Sequence, residues 1–107
     1  MVTETRSNYA NRIKDLVETT VRGELGGIVE RVETRFEDNY EGEPSLFTDV
    51  VLTETAPADL GRRFTLTRVA VLNALREIGE DRFPYLATKR PQDEYPDETV
   101  KSRKRRA

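Results

Sequence analysis

Residues 56–79, APADLGRRFTLTRVAVLNALREIG, contain the pattern on which the predicted fold depends. A proline suits the first turn of a helix, and we predict a short helix over 57–64. The next two residues, 65–66, would form a turn, and a threonine would cap a second helix over 68–78. Gly79 is typical of the residue that follows a helix C-terminus. The segment therefore predicts two short helices joined by a tight turn.

The apolar side chains of this segment recur at the spacing of two packed helices. They would form one buried wedge and leave a polar, basic face outside. The predicted wedge residues are Leu60, Phe64, Leu66, Val71, Leu75 and Ile78. The alternation in RRFTLTRVAV also suits a β-strand, which would pair with residues 44–54 across APADLG, so a hairpin is the alternative.

The spacing resembles the helix-turn-helix of transcription regulators, including the winged forms. Leu60 and Gly61 match the aliphatic and small residues of the first helix in that family. Leu66 and Thr67 match the turn and the cap, and Val71 matches the buried position of the second helix. At the turn position where the family usually has glycine, this sequence has Thr65. The resemblance covers about 24 residues.

This resemblance implies DNA binding by a recognition helix at 68–78. Arg68 and Asn73 would contact base edges, and Arg76 would lie near the DNA backbone. Arg62 and Arg63 would reach phosphates. Non-specific affinity would come from five cations of a disordered C-terminal tail, Lys101, Arg103, Lys104, Arg105 and Arg106. A strand at 82–88 would form a short β wing.

Two aliphatic side chains, Val69 and Leu72, are predicted on the outward face of the second helix. Apolar side chains can contact thymine methyl groups. More often they indicate a protein partner, which supports an alternative function. In that alternative, the chain is a structural or assembly protein, such as a virion connector or tail-terminator subunit that acts through protein contacts.

The N-terminal third shows helical periodicity over 7–36, from Tyr9 to Phe36. We predict a long amphipathic helix, with a kink or a split near Gly26. Its large apolar face would either pack over the small domain or serve dimerisation. Residues 37–45 are predicted to be a linker. For residues 46–54 the pattern leaves helix and strand open.

Composition limits both the class of fold and the chemistry. The 107 residues form one small domain, and 36% of them are charged. Because the total charge is −2 and residues 101–107 carry +5, residues 1–100 carry −7. The chain has no Cys and no His, which removes thiolate and imidazole chemistry. No stretch approaches the roughly 18 apolar residues of a membrane span.

We therefore predict a mainly α protein with a long helix over 1–40, a helix-turn-helix domain over 45–90 and a basic arm over 91–107. The predicted function is a non-enzymatic, DNA-binding transcriptional regulator without a cofactor. A homodimer or higher homo-oligomer is expected, because regulators of this type bind two-fold half-sites. The expected location is the cytoplasm, or a virion if the assembly alternative holds.

Overall fold

The computed structural model describes residues 6–90. The described part of the chain begins with helix α1 (Arg6–Leu25), followed by a short 3-10 turn (Gly26–Ile28). A hairpin follows, formed by strands β1 (Val29–Asp38) and β2 (Pro44–Leu52). Helix α2 (Arg62–Glu77) and strand β3 (Phe83–Lys89) complete the fold.

The three strands form one sheet in the order β1-β2-β3. Strands β1 and β2 are antiparallel, whereas β2 and β3 are parallel and are connected through α2. Parallel neighbours need such a crossover, because a tight turn cannot connect them. Both helices contact each other and lie on the same face of the sheet. The other face of the sheet, called the open face below, is not covered by either helix.

The core lies between the helix pair and one face of the sheet. Helix α1 contributes a stripe at four-residue steps, and α2 contributes two positions four residues apart. Strand β2 contributes alternate residues, because successive strand side chains point to opposite faces. The main buried apolar residues of these three elements are Ile13, Val17, Val21, Leu25, Leu46, Val50, Leu52, Val71 and Leu75.

The prediction of a mainly α fold with a helix-turn-helix is wrong. Residues 62–77 form one uninterrupted helix, so the predicted turn at 65–66 does not exist. Such a turn usually needs a positive φ, which Thr65 does not adopt, and within residues 6–90 only glycines have positive φ. The apolar spacing of the motif is that of any amphipathic helix, and α2 uses it to pack on α1 and the sheet.

The predicted helix boundaries before α2 are also wrong. Residues 57–61 are not helical, and Gly61, with φ of 55°, immediately precedes α2. Leu66, which was predicted in the buried wedge, lies on the surface and is 48% exposed. Thr67 lies within α2 and is buried, and its hydroxyl donates a 2.7 Å hydrogen bond to the Arg63 carbonyl. This residue is therefore not a helix cap.

The predicted 30-residue N-terminal helix is wrong beyond Leu25. Residues 29–38 form β1, which contains a register shift between Val29 and Arg31. This β-bulge inserts one extra residue, so Val29 and Val32 lie on the same face although they are three residues apart. A three-residue spacing is also a helical spacing. The bulge therefore produced a helix-like spacing of apolar residues in a segment that forms a strand.

The structure decides one alternative that the sequence left open and agrees with two further predictions. Residues 46–54, for which helix and strand were both open, belong mainly to β2. The extended segment predicted at 82–88 is β3, although it pairs with β2 in the central sheet and does not form a wing. Gly79 follows α2 with φ of 81°, as expected for a residue just beyond a helix C-terminus.

Candidate interaction surface

Strand β3 lies at one edge of the sheet and, within residues 6–90, pairs only with β2. Its sequence FPYLATK has no charged residue before Lys89. Pro84 has no N–H to donate to a ladder, and proline is typical of edge strands. An edge strand of this length with a single charge at its end can act as a template for pairing with another chain.

A groove runs between this edge and α2. Its lining consists of Arg68, Val69 and Leu72 from α2 and Phe83, Pro84, Tyr85 and Leu86 from β3. We call this set the β3 groove. Its cavity has a volume of about 250 Å³. Three of the lining side chains are substantially exposed, namely Val69 (49%), Phe83 (51%) and Tyr85 (39%). Contiguous apolar exposure of this kind marks interaction sites in soluble proteins.

Three aromatic rings form a cluster on the open face. Phe47 of β2 and Tyr85 of β3 are register partners, and their rings stack with centroids 5.1 Å apart. Phe83 contacts Tyr85 edge to face at 4.9 Å. The Tyr85 hydroxyl accepts a 3.2 Å hydrogen bond from the Asn39 side chain. The exposed rings of β3 are therefore held in a fixed geometry.

A cluster of charges lies beside the rings on the same face. Asp49 is only 8% exposed and accepts hydrogen bonds from two cations. Its Oδ2 atom is 2.8 Å from Arg35 and 3.1 Å from Lys89. The hydrogen bond to Asp49 raises the pKa of Arg35 above its ordinary value. The open face also contains Arg31, Glu33 and Glu37, so its three cations and three carboxylates balance, unlike a nucleic-acid platform, which needs excess positive charge.

The other edge of the sheet differs from β3. Along β1, charged side chains project at nearly every second position, and the bulge distorts its first residues. Arg22 of α1 donates 3.2 Å hydrogen bonds to the carbonyl oxygens of Val29 and Glu30. Charges and bulges are the devices that protect an edge from pairing. Strand β3 has Pro84 and Lys89 but no bulge and no other charge, so it has the less protected edge of the described sheet.

The start of β3 is fixed by a buried carboxylate. Glu80 accepts hydrogen bonds from the Tyr9 hydroxyl at 2.7 Å and from the backbone N–H and guanidinium of Arg82, both at 2.9 Å. Burial alone would raise the pKa of Glu80, but these hydrogen bonds outweigh burial and lower it. The hydrogen bond to Glu80 raises the pKa of the Tyr9 hydroxyl above its ordinary value. The network holds the chain where it leaves α2 and enters β3.

The five residues predicted to contact DNA from the motif all lie on α2, but they do not form one surface. Arg62, Asn73 and Arg76 share an outward stripe of the helix, together with Leu66 and Val69, because these positions are three or four residues apart. All five side chains of the stripe are exposed.

The other two predicted DNA-contacting residues make contacts within the chain. Arg63 donates a 3.0 Å hydrogen bond to the Leu25 carbonyl at the end of α1. The Arg68 guanidinium lies 4.8 Å from the centre of the Phe64 ring. The predicted tail residues Lys101, Arg103, Lys104, Arg105 and Arg106 lie outside the described residues, as does the predicted arm over 91–107.

Val69 and Leu72, predicted to face a protein partner, both line the β3 groove. The sequence did not identify the aromatic and charged residues of the open face. The spacing of Phe83 and Tyr85, two residues apart, indicates that both rings lie on one face of a strand. Their contact with Phe47 becomes evident only when residues 44–52 are known to form the neighbouring strand.

Comparisons with known proteins and a search for other site types add no further candidate. No family model, curated protein or solved structure matches the chain. Within residues 6–90, no group of three or more carboxylates is arranged to hold a metal ion. Neither α1 nor α2 is long and apolar enough to cross a membrane.

Proposed function

We propose that this chain is a non-enzymatic assembly protein that self-associates through the β3 groove. One observation carries the proposal: a strand edge that is unpaired within residues 6–90, and whose one charged residue is Lys89, lies beside exposed apolar side chains of the neighbouring helix. Backbone pairing at such an edge supplies hydrogen bonds, and the adjacent groove supplies apolar burial. The strand edge and the groove lie along the same side of the molecule, so one partner would contact both.

The energetic argument favours covering this surface. Burial of apolar area contributes about 25 cal/mol per Å², and aromatic residues dominate the energetics of protein interfaces. Phe83 and Tyr85 are already fixed by ring contacts within the chain, so their ordering costs little entropy on association. A rigid apolar edge of this kind would otherwise expose the protein to uncontrolled aggregation.

The test is the mass of the full-length chain in solution, measured by light scattering after size exclusion and by sedimentation equilibrium. We expect a dimer or a larger species for the wild type and a shift to monomer for Val69→Asp, which places a charge in the groove. Leu66→Asp is the matched control, because Leu66 is equally exposed on the same helix but does not line the groove. A monomeric wild type at all concentrations would disprove the proposal.

DNA binding is a second candidate, favoured by one observation. Helix α2 carries four arginines and one glutamate, and Arg62, Asn73 and Arg76 share its outward stripe. A basic helix face can contact phosphates without a helix-turn-helix. A mobility-shift assay with Arg62→Ala combined with Arg76→Ala tests this function. Binding that is lost in the double variant and falls steeply with salt would support it, and absence of binding by the wild type would exclude it.

A further inference from the structure

We infer that the β3 groove is filled by a second copy of this chain, and that the two β3 strands pair antiparallel around a two-fold axis at Tyr85. This inference rests on the proposed self-association and specifies its geometry. The product is a continuous six-stranded sheet, in which the two open faces lie on one side and the four helices lie on the other.

The two-fold arrangement follows from the difference between the two edges. A head-to-tail contact would pair β3 with β1 of the next copy. The β1 edge is protected by its charged side chains, its bulge and the hydrogen bonds from Arg22 to the first carbonyls of the strand. The less protected edge that a second copy offers is its own β3. Pairing of a surface with itself requires a two-fold axis, which is also the commonest symmetry of homo-oligomers.

The alternation of strand residues limits the register. A shift by one residue moves every side chain to the other face, so the open faces remain continuous only if odd-numbered residues oppose odd-numbered residues. Registers with Pro84, Tyr85, Leu86, Ala87 or Thr88 on the axis all meet this condition. An axis at Ala87 or Thr88 would leave Phe83 outside the paired segment, so three registers remain. A Pro84 axis shortens the overlap and places two residues without N–H opposite each other.

Charge complementarity selects among the remaining two. A Leu86 axis would oppose Arg82 to Arg90 of the second copy, which is a repulsive pair. A Tyr85 axis instead opposes Asp81, which is exposed and lies just before β3, to Lys89 of the second copy, twice per dimer. Lys89 would then lie between this aspartate and Asp49 of its own chain. This register also places Phe83 opposite the small residue Ala87 of the second copy. Opposite charges across strands are stabilising, whereas like charges directly opposite each other are destabilising.

The Tyr85 register would also bring the aromatic cluster and the β3 groove of one copy next to the same surfaces of the second copy. The cluster of Phe47, Phe83 and Tyr85 would meet its two-fold copy on the open face, and Tyr85 would lie against itself at the axis. On the other face, the β3 grooves would adjoin, which brings Val69 and Leu72 towards the same residues of the second copy. One contact therefore covers the exposed apolar residues of both surfaces of the edge.

A charge-exchange experiment tests the register in the full-length chain. Asp81→Lys and Lys89→Glu each convert two attractive pairs into two repulsive pairs, and each should weaken self-association about tenfold. A mixture of the two variants can form a heterodimer in which both pairs are attractive again. Lys89→Glu also loses the contact with Asp49 within its own chain, which mixing does not restore. We therefore expect the mixed dimer to be clearly tighter than either homodimer of the variants in sedimentation experiments. Mixing without recovery would overturn the Tyr85 register.

Cross-linking provides an independent measurement, because the chain has no native cysteine. Tyr85→Cys would lie opposite itself across the axis and should form a disulfide-linked dimer under a glutathione redox buffer. Ala87→Cys is the control, since two copies of residue 87 would be about 13 Å apart, beyond the roughly 7 Å limit for a disulfide. Cross-linking of Ala87→Cys, or its absence in Tyr85→Cys while the charge exchange also fails, would refute the geometry.

These outcomes separate the inference from the proposed function. If the wild type is dimeric or larger but neither β3 test succeeds, self-association is retained and the two-fold β3 pairing is wrong. Species larger than a dimer that cross-link from β3 to β1, for example with Ala87→Cys and Glu33→Cys together, would indicate the head-to-tail contact. A monomeric wild type would remove both proposals.

Discussion

The Tyr9 hydroxyl donates a 2.7 Å hydrogen bond to Oε1 of Glu80, which lies 71 positions later in the chain. This contact joins the first turns of α1 to the segment that follows α2. The second carboxylate oxygen of Glu80 accepts both hydrogen bonds from Arg82. Both oxygens of a buried carboxylate are thus satisfied, which is the condition under which burial of a charge is tolerated.

Glu80→Gln tests this network. The variant keeps the shape of the side chain but loses the negative charge that Arg82 stabilises. We expect the free energy of unfolding at pH 7 to fall by about 1–2 kcal/mol, because hydrogen bonds to charged groups are worth about this much. Urea denaturation measures the change. Glu77→Gln, at an exposed position in the last turn of α2, is the control and should change stability by less than about 0.5 kcal/mol.

The stability of the wild type should depend on pH through the same carboxylate. The pKa of Glu80 is lower in the folded chain than its ordinary value of 4.5. Its contribution is therefore present above pH 4.5 and is lost as the pH falls through the lowered folded value. The difference in unfolding free energy between wild type and Glu80→Gln should narrow as the pH approaches 3. A difference independent of pH over this range would contradict the role of the charge.

Asp49 should contribute more to stability than the other carboxylates of the open face. It is nearly buried and contacts both Arg35 and Lys89, whereas Glu33 is about half exposed and contacts Arg31. Because both cations remain partly exposed, we expect a loss of about 1–2 kcal/mol for Asp49→Ala, less than for a fully buried pair. Glu33→Ala should cost less than about 0.5 kcal/mol. Equal losses for the two variants, measured by urea denaturation, would be inconsistent with this difference.

How far the sequence predicted the fold differs from element to element. Helix periodicity identified the buried positions Val71 and Leu75 correctly, because local spacing determines which face of a helix is apolar. The same spacing could not distinguish one helix of 16 residues from two short helices, since both bury residues three and four apart. In β1, the bulge gave Val29 and Val32 a helical spacing, and only the pairing with β2 shows their true relation.

The candidate interaction surface was predicted in part. Val69 and Leu72 were identified as aliphatic residues on an outward face, and they do line the β3 groove. Phe83 and Tyr85 belong to the same surface through a parallel pairing between residues 38 positions apart, such as Phe47 and Tyr85. Long-range pairing of this kind leaves no local signature, so the free edge could not be recognised before the sheet order was known.

Thr65 provides a direct test of the continuity of α2. In an uninterrupted helix, exposed Thr65→Ala should stabilise the chain by up to about 0.5 kcal/mol, because alanine has the higher helix propensity. Thr65→Gly should destabilise it by a few tenths of a kcal/mol for the same reason. A turn with positive φ would reverse this order, because glycine would then be favoured. Thermal and urea unfolding of the three proteins therefore distinguish one helix from a helix-turn-helix.

Arg90 holds the segment between β2 and α2 against the end of β3. Its guanidinium donates hydrogen bonds to the carbonyl oxygens of Ala56, at 3.0 Å, and Pro57, and it lies 3.5 Å from that of Thr53. These contacts join residues more than 30 positions apart, so Arg90→Ala should release the segment. We expect faster hydrogen exchange at the Ala56 amide, which is bonded to the Thr53 carbonyl.

Arg90→Lys separates geometry from charge at this position. An ammonium group keeps the positive charge but lacks the planar fork that reaches several carbonyls together. Exchange at Ala56 should therefore remain faster than in the wild type, though slower than in Arg90→Ala. Arg76→Ala, on the outward stripe of α2, is the control and should leave the Ala56 amide unchanged. Wild-type protection in Arg90→Ala would show that the segment is held by its own turn and not by the guanidinium.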